Sequence, residues 1–243
     1  MARRATVLKQ ERARNPNLLL LDAGDTLFGQ PLANETQGRI VVDAMNLLGY
    51  AAMTVGEADL QQAGLAALRQ RADEARFPFL GANLSGSLPV KPYVLVTVGG
   101  TQIGVLGLAN AGVARLDVPG GTIAASDPVE AARRLLPELR AMANVVVVLS
   151  HLGVDMDQRL AREVPGITVI VGGHDKRFIQ SPITVDKTII VQVGYNGEGL
   201  GLLRLQVDSR GNVTSFQGEV VLLSSAVPDD PEMRALIGPP RLP

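Results

Sequence analysis

The sequence predicts an α/β fold with more than one sheet and with helices on the outside. Three observations carry that prediction. Apolar, β-branched runs alternate with helical spacing through the first two-thirds of the chain, the pattern of strands buried under helices. From Pro182 the pattern changes to consecutive hairpins. The only two histidines, His151 and His174, each close a buried apolar run beside turn glycines, at the strand end where such sheets build their sites.

Taken in order, residues 2–15 have amphipathic helical spacing, stopped by Asn15-Pro16 because the residue before proline is pushed out of the helical region. Residues 18–22 are a buried strand running into the polar turn Ala23-Gly24-Asp25-Thr26. Ile40, Val41, Ala44, Met45 and Leu48 mark a helix over 35–48, ended by Gly49. Residues 51–55 are a strand followed by Gly56-Glu57-Ala58-Asp59, and 60–75 are a helix. A strand is expected over 79–84, and a hairpin joins 91–98 to 102–108 through Gly99-Gly100-Thr101. Residues 110–126 read as a loop with at most a short strand. Ser126 or Asp127 caps a helix to about Met142, with Pro128 in its first turn. A strand over 144–149 leads to His151, a helix runs from about 155 to 163, and a strand over 167–171 leads to His174. Hairpin strands follow at 183–185, 188–193, 200–207 and 213–223. The remainder, 224–243, reads as a proline-rich tail or severed linker beyond a domain of residues 1–223.

Composition removes several classes of function. A net charge of −1 across 243 residues offers no footprint for nucleic acid or an anionic membrane. With no cysteine, thiol catalysis and cysteine-held zinc are excluded, and a metal would depend on His, Asp, Glu or Asn. No stretch approaches the roughly 20 apolar residues of a membrane span. Lys9, Glu11, Arg12 and Arg14 interrupt any signal-peptide core, so the expectation is a soluble, cytoplasmic chain.

Four polar turns follow four strands: Asp22/Asp25, Glu57/Asp59, His151, and His174/Asp175/Lys176. Strands that neighbour one another would bring these side chains to one rim. Two imidazoles and two carboxylates suit one divalent transition metal, such as zinc, iron, manganese or nickel. A competing reading takes Leu21-Asp22-Ala23-Gly24-Asp25-Thr26-Leu27 as the first motif of the haloacid dehalogenase superfamily, with Asp22 as phosphoryl acceptor. Gly24 stands where that superfamily carries its acid/base aspartate, and no later acidic pair follows a buried strand.

The blocks Leu19-Leu20-Leu21-Asp22-Ala23-Gly24-Asp25, Phe79-Leu80-Gly81-Ala82-Asn83-Leu84, Val148-Leu149-Ser150-His151-Leu152-Gly153 and Ile170-Val171-Gly172-Gly173-His174, in that order, resemble the N-terminal metallophosphoesterase domain of the 5′-nucleotidase family. That resemblance implies two stacked mixed sheets flanked by helices, a four-layer α/β/β/α sandwich in the calcineurin-like superfamily. It also implies two adjacent metals activating a hydroxide for attack on phosphorus. The family's second-metal ligands fall on Asp25, Glu57, His151 and His174, with Glu57 replacing an asparagine.

The first metal's ligands do not carry over. Its Asp-x-His motif belongs to a strand preceding the blocks matched here, and its remaining histidine position holds Lys176. The catalytic histidine position holds Ala58, and its orienting partner Gln61. Two expectations follow: a single zinc, manganese or iron ion at Asp25, Glu57, His151 and His174 beside the Lys176 ammonium, or a metal-free site in which Lys176 faces Asp25 and Glu57 in place of the lost cation. Activity toward a phosphate ester or nucleotide is expected to be weak or absent, and a non-catalytic binding or assembly module is the alternative. The resemblance also implies an uncovered sheet edge that a homodimer or partner strand would close, and a family that is mostly periplasmic or extracellular.

Overall fold

The computed structural model describes residues 1–110 and 115–238. Its centre is a six-stranded mixed sheet in the order β11-β12-β10-β9-β6-β5, built from β5 (Tyr93–Val98), β6 (Thr101–Ala109), β9 (Val145–His151), β10 (Val169–Gly172), β11 (Ile183–Val185) and β12 (Thr188–Val191). β6, β9 and β10 run parallel because the crossovers α5 (Pro128–Met142) and α6 (Val154–Glu163) carry the chain back to the same end of the sheet, and β12, reached through the antiparallel β11, pairs parallel to β10. β9 is buried along its whole length, as its Val-Val-Val-Val-Leu run requires. Asp127 caps α5 by accepting from the Val129 and Glu130 amides, and Pro137 is carried within the helix.

A second sheet, β1 (Leu21–Asp22), β2 (Ala52–Thr54) and β3 (Phe79–Leu80), is parallel throughout. Ala52, Leu80, Val105, Val147, Leu149 and Ile189 fill the space between the two sheets. The outer face of the six-stranded sheet packs on α5 and α6 through Val146, Val148, Leu136, Leu139 and Leu160. The other outer layer is α1 (Ala2–Arg14), α3 (Arg39–Leu48) and α4 (Glu57–Glu74), packed through Leu8, Val42, Met45 and Leu68. The four layers expected from the resemblance are thus present. β13 (Gly199–Val207) and β14 (Val213–Leu222) form a separate antiparallel ribbon.

Several local expectations need correction. The helix expected over 35–48 is divided into α2 (Pro31–Glu35) and α3 by Gly38, whose φ of 79° no helix tolerates. The strand expected over 79–84 is two short strands in different sheets, β3 and β4 (Leu84–Ser85). In place of the loop expected over 110–126, β7 (Arg115–Val118) and β8 (Gly121–Ala125) pair as a hairpin joined by Pro119-Gly120, with Val118 and Ile123 buried. Positions 111–114 of that expected loop lie outside the described residues. The hairpin presses on α4, where Leu65 N donates to Pro119 O at 2.9 Å and Gly64 adopts φ 66°, kinking a helix that the sequence suggests is unbroken.

Residues 224–238 are docked onto the layer formed by α1 and α3. α7 (Pro231–Ile237) is capped by Asp230, which accepts from Met233 N, and Met233 is fully buried. Lys9 Nζ lies 2.6 Å from Asp230, tying α7 to α1. Positions 239–243 of the expected tail lie outside the described residues.

Candidate metal centre

Each candidate side chain stands just past the C-terminal end of a parallel strand. Asp25 follows β1, Glu57 follows β2, His151 ends β9, and His174 follows β10. Because the two sheets are stacked, all four loops reach one rim. Glu57, His151 and His174 offer ligand atoms that all lie within 4.8 Å of one another. His151 Nε2 is 3.4 Å from Glu57 Oε2 and 3.2 Å from Asp25 Oδ2, and His174 Nδ1 is 3.1 Å from Glu57 Oε2.

Burial and hydrogen bonding fix which atom of His151 is available. Its ring is 1 % exposed, and Nδ1 lies 2.6 Å from Ala23 O. A carbonyl can only accept, so Nδ1 carries a proton and Nε2 is the nitrogen turned toward the two carboxylates. Nε2 is buried against Asp25 Oδ2 and Glu57 Oε2, and among the described residues it has no hydrogen bond of good geometry. A ligating histidine characteristically donates its second N–H to a backbone carbonyl, and Nε2 is the atom a cation would engage. The residues present therefore fit one divalent ion.

The same cluster is electrostatically coupled without an ion. Burial works against charge on His151, but Asp25, Glu57 and the Ala23 carbonyl overcome it and raise the imidazole to about 10. Burial likewise opposes ionisation of Asp25 and Glu57. The His151 ring outweighs it at both, helped at Asp25 by the Ala58 amide and at Glu57 by His174, and both carboxyls sit below their usual range. The cluster thus stores two negative charges beside imidazole nitrogens.

The approach of these loops depends on glycine at three points, the tightest being Gly56, where a Cβ would stand 2.7 Å from Asp25 N. Gly24 has φ 92°, and a Cβ there would stand 2.9 Å from Gly56 N and 3.0 Å from His151 Nδ1. A Cβ on Gly173 would stand 2.9 Å from Ala23 O. Gly24→Ala is expected to destabilise the fold by about 1–3 kcal/mol, through backbone strain and overpacking together. Urea unfolding of the purified variant measures it.

Other sequence candidates point elsewhere. Asp22 folds back on its own turn, accepting from Gly24 N at 3.0 Å and Thr26 Oγ1 at 2.5 Å. Asp59 is fully buried and accepts from the amides of Asp25, Thr26, Leu27 and Gly56 at 2.8, 3.1, 2.9 and 3.0 Å. It holds the Asp25 turn against the start of α4. Asp175 accepts from Val154 N at 2.9 Å and supports the His174 turn from behind. The expectation that Lys176 faces Asp25 and Glu57 needs correction. Its Nζ instead lies 5.8 Å from the centroid of the exposed Tyr195 ring, because φ of 61° at Lys176 turns the chain there.

Asn110 escapes the sequence reading. It follows β6, whose Ala109 pairs with His151, and its Nδ2 lies 3.0 Å from His174 Nε2. Donation from Asn110 to Nε2 leaves the proton of His174 on Nδ1, facing Glu57; turning the amide over reverses that assignment and frees Nδ1 as a ligand.

No family model matches the chain. Individual proteins match it over nearly its whole length. The 5′-nucleotidase of Homo sapiens is 31 % identical over 97 % of this chain and 46 % of its own length. The solved structure of a 5′-nucleotidase precursor from Thermus thermophilus superposes with a TM-score of 0.89 at 33 % identity, covering 97 % of this chain and 51 % of its own. The sulfate thiohydrolase SoxB of the same organism superposes with a TM-score of 0.87 at 26 % identity, over 97 % of this chain and 45 % of its own. The chain spans about half the length of the curated relatives it matches.

Proposed function

The chain belongs to the 5′-nucleotidase family as its N-terminal metallophosphoesterase domain, and from that premise we propose that it is a weak phosphoesterase working with one divalent transition metal. The observation that carries this reading is the convergence of Glu57, His151 and His174 within 4.8 Å, with Asp25 against His151. The family's chemistry is divalent-metal dependent, and zinc, manganese and iron suit this mixed nitrogen and oxygen donor set. Such an ion, when bound, polarises a phosphoryl oxygen.

The chain's own residues have separable parts in this reading. Glu57, His151 and His174 hold the ion, and Asp25 offsets its charge from beside His151. Ala23 O keeps Nδ1 of His151 protonated so that Nε2 faces the centre. Ala58 offers neither proton donor nor acceptor where the family resemblance implies a catalytic histidine. Losing general acid–base help of that kind costs typically 10²–10⁴-fold in rate. Slow turnover of simple phosphate esters or nucleotides follows.

Two measurements on protein purified without chelator test this. Metal analysis is expected to find close to one equivalent, and less than about a tenth, with no gain on adding zinc or manganese, would remove the metal from the proposal. Hydrolysis of p-nitrophenyl phosphate is expected to be slow and stopped by chelator. Fast metal-dependent turnover of AMP would show that Ala58 and Lys176 do not disable the site. A second reading, a non-catalytic binding module, is favoured by the Lys176 ammonium lying over Tyr195 with no ion pair among the described residues. It predicts the metal without the turnover.

A further inference from the structure

On β9, His151 faces the metal centre, and Ser150, one residue earlier, faces the opposite side of the sheet under α6. There Asp157 and Ser150 are wholly buried and Gln192 is 2 % exposed. Among the described residues, two oxygens in this group have no donor: Asp157 Oδ2 and Gln192 Oε1. Both press on Gly172, where a Cβ would stand 2.5 Å from the first and 2.9 Å from the second. Glycine gives the two oxygens a shared space that any other residue would fill.

The remaining polar atoms of these side chains are committed. Asp157 Oδ1 accepts from Ser150 Oγ. Gln192 Nε2 donates to Asp175 Oδ1 at 2.6 Å and to Arg177 O at 3.0 Å. Turning the Gln192 amide over would set its oxygen against a carboxylate and a carbonyl, so Oε1 stays where it is. Two buried acceptors thus face the same glycine without a donor among the described residues, an arrangement that a proton carried by one of them relieves.

We propose that Asp157 is held as the neutral acid, its Oδ2 hydroxyl donating to Gln192 Oε1, and that the pair are positioning residues for the turn carrying His174. The turn needs such support. His174 and Lys176 have φ of 81° and 61°, so left-handed residues flank Asp175 on both sides. Asp175 is held by Gln192, by Val154 N at the start of α6, and by Arg177 Nε at 3.3 Å. Ser150, Asp157, Gln192 and Asp175 form one chain of side chains from the sheet to that turn.

The charged groups around Asp157 support this protonation state. Burial, and then the negative charge of Asp175, push its carboxyl up to about 7, against the Ser150 hydroxyl and the His151 charge. Arg177 is engaged by Asp155 and Asp175 and does not reach Asp157. The folded chain therefore binds a proton that the unfolded chain releases at its ordinary value of 3.8. This contribution to stability is complete below 3.8 and is lost as pH rises toward about 7. The proton is expected whether or not the centre holds a metal.

Infrared spectroscopy of the metal-free chain tests the proposal. The carbonyl stretch of a protonated carboxylic acid is expected below about pH 7, with part of it lost in Asp157→Asn. The remaining part belongs to Asp59, pushed by burial to about 6. Asp157→Asn keeps a donor toward Gln192 and is expected to fold, with a flatter pH dependence of stability than the unaltered chain. If the variant does not fold, residue-resolved carboxyl NMR of the unaltered chain reads Asp157 directly. Positioning has its own readout in the Val154 and Arg177 amides, both of which donate to Asp175. Their hydrogen exchange is expected to quicken at least about tenfold in Gln192→Ala, the equivalent of one hydrogen bond, and to hold in Asp157→Asn. An Asp157 signal ionised throughout, or amide exchange unchanged in Gln192→Ala, overturns the proposal.

Discussion

His151→Ala is expected to abolish useful metal uptake and to destabilise the metal-free fold as well. His151 is the ligand whose Nε2 is buried, and its second nitrogen is already tied to Ala23 O. His174 supplies the only other nitrogen among the described residues of the cluster, and it is the more exposed of the two. Outer-shell changes cost roughly 10–100-fold in metal affinity, and loss of a buried first ligand should exceed that. Calorimetric titration with zinc or manganese measures it. A variant that binds within about tenfold of the unaltered chain would remove the centre from this rim altogether.

The stability effect of the same substitution is independent of any metal. Asp25 and Glu57 both approach Nε2, and alanine leaves two half-buried carboxylates facing each other without their cation. Removing one partner of a fully buried ion pair costs about 3–5 kcal/mol, and the loss here is expected below that because solvent reaches Asp25 and Glu57. Unfolding of chelated protein therefore reports on the cluster even if the metal titration fails. His174→Ala should cost less, since its side chain is 34 % exposed and solvent can take its place beside Glu57.

Most of this centre is legible in the sequence because its residues fall at strand ends. Parallel pairing sets the two histidines side by side at the end of one sheet and the two carboxylates at the end of another, as the βαβ spacing suggests, and the stacking of the two sheets brings the pairs together. What stays illegible is decided within a residue or two. Glu57 and Asp59 both follow β2, yet one enters the centre and the other turns inward. The Gly56-x-x-Asp59 spacing of a helix cap is the available signal. Asn110 carries no local mark, since its place depends on the register that sets Ala109 beside His151. The direction of Lys176 follows from a left-handed backbone that a non-glycine residue rarely announces. Likewise Gly64, alone in a helical pattern, gives no hint that the β7–β8 hairpin meets α4 there.

Asp59→Ala is expected to be the most destabilising single change outside the centre itself. One carboxylate serves four backbone amides: Oδ1 accepts from Thr26 and Leu27, and Oδ2 accepts from Asp25 and Gly56. Three of those amides belong to the turn after β1 and one to the cap of α4, so the side chain joins two loops with no strand between them. Alanine leaves each donor to find water or go unpaired, and a buried unpaired donor costs roughly 1–3 kcal/mol. Asp25 and Thr26 lie partly open and can be rehydrated, while Leu27 and Gly56 are buried and cannot. The two buried amides and the lost cap together give an expected loss of about 3–5 kcal/mol. Asp59→Asn separates geometry from charge: its single oxygen keeps one pair of amides, and its NH₂ meets the other pair as a third donor. It should therefore recover only part of the loss in urea unfolding. Full recovery by asparagine would mean that the amides rearrange freely, and the Asp25 turn would then owe its position to packing around Leu27 rather than to this carboxylate.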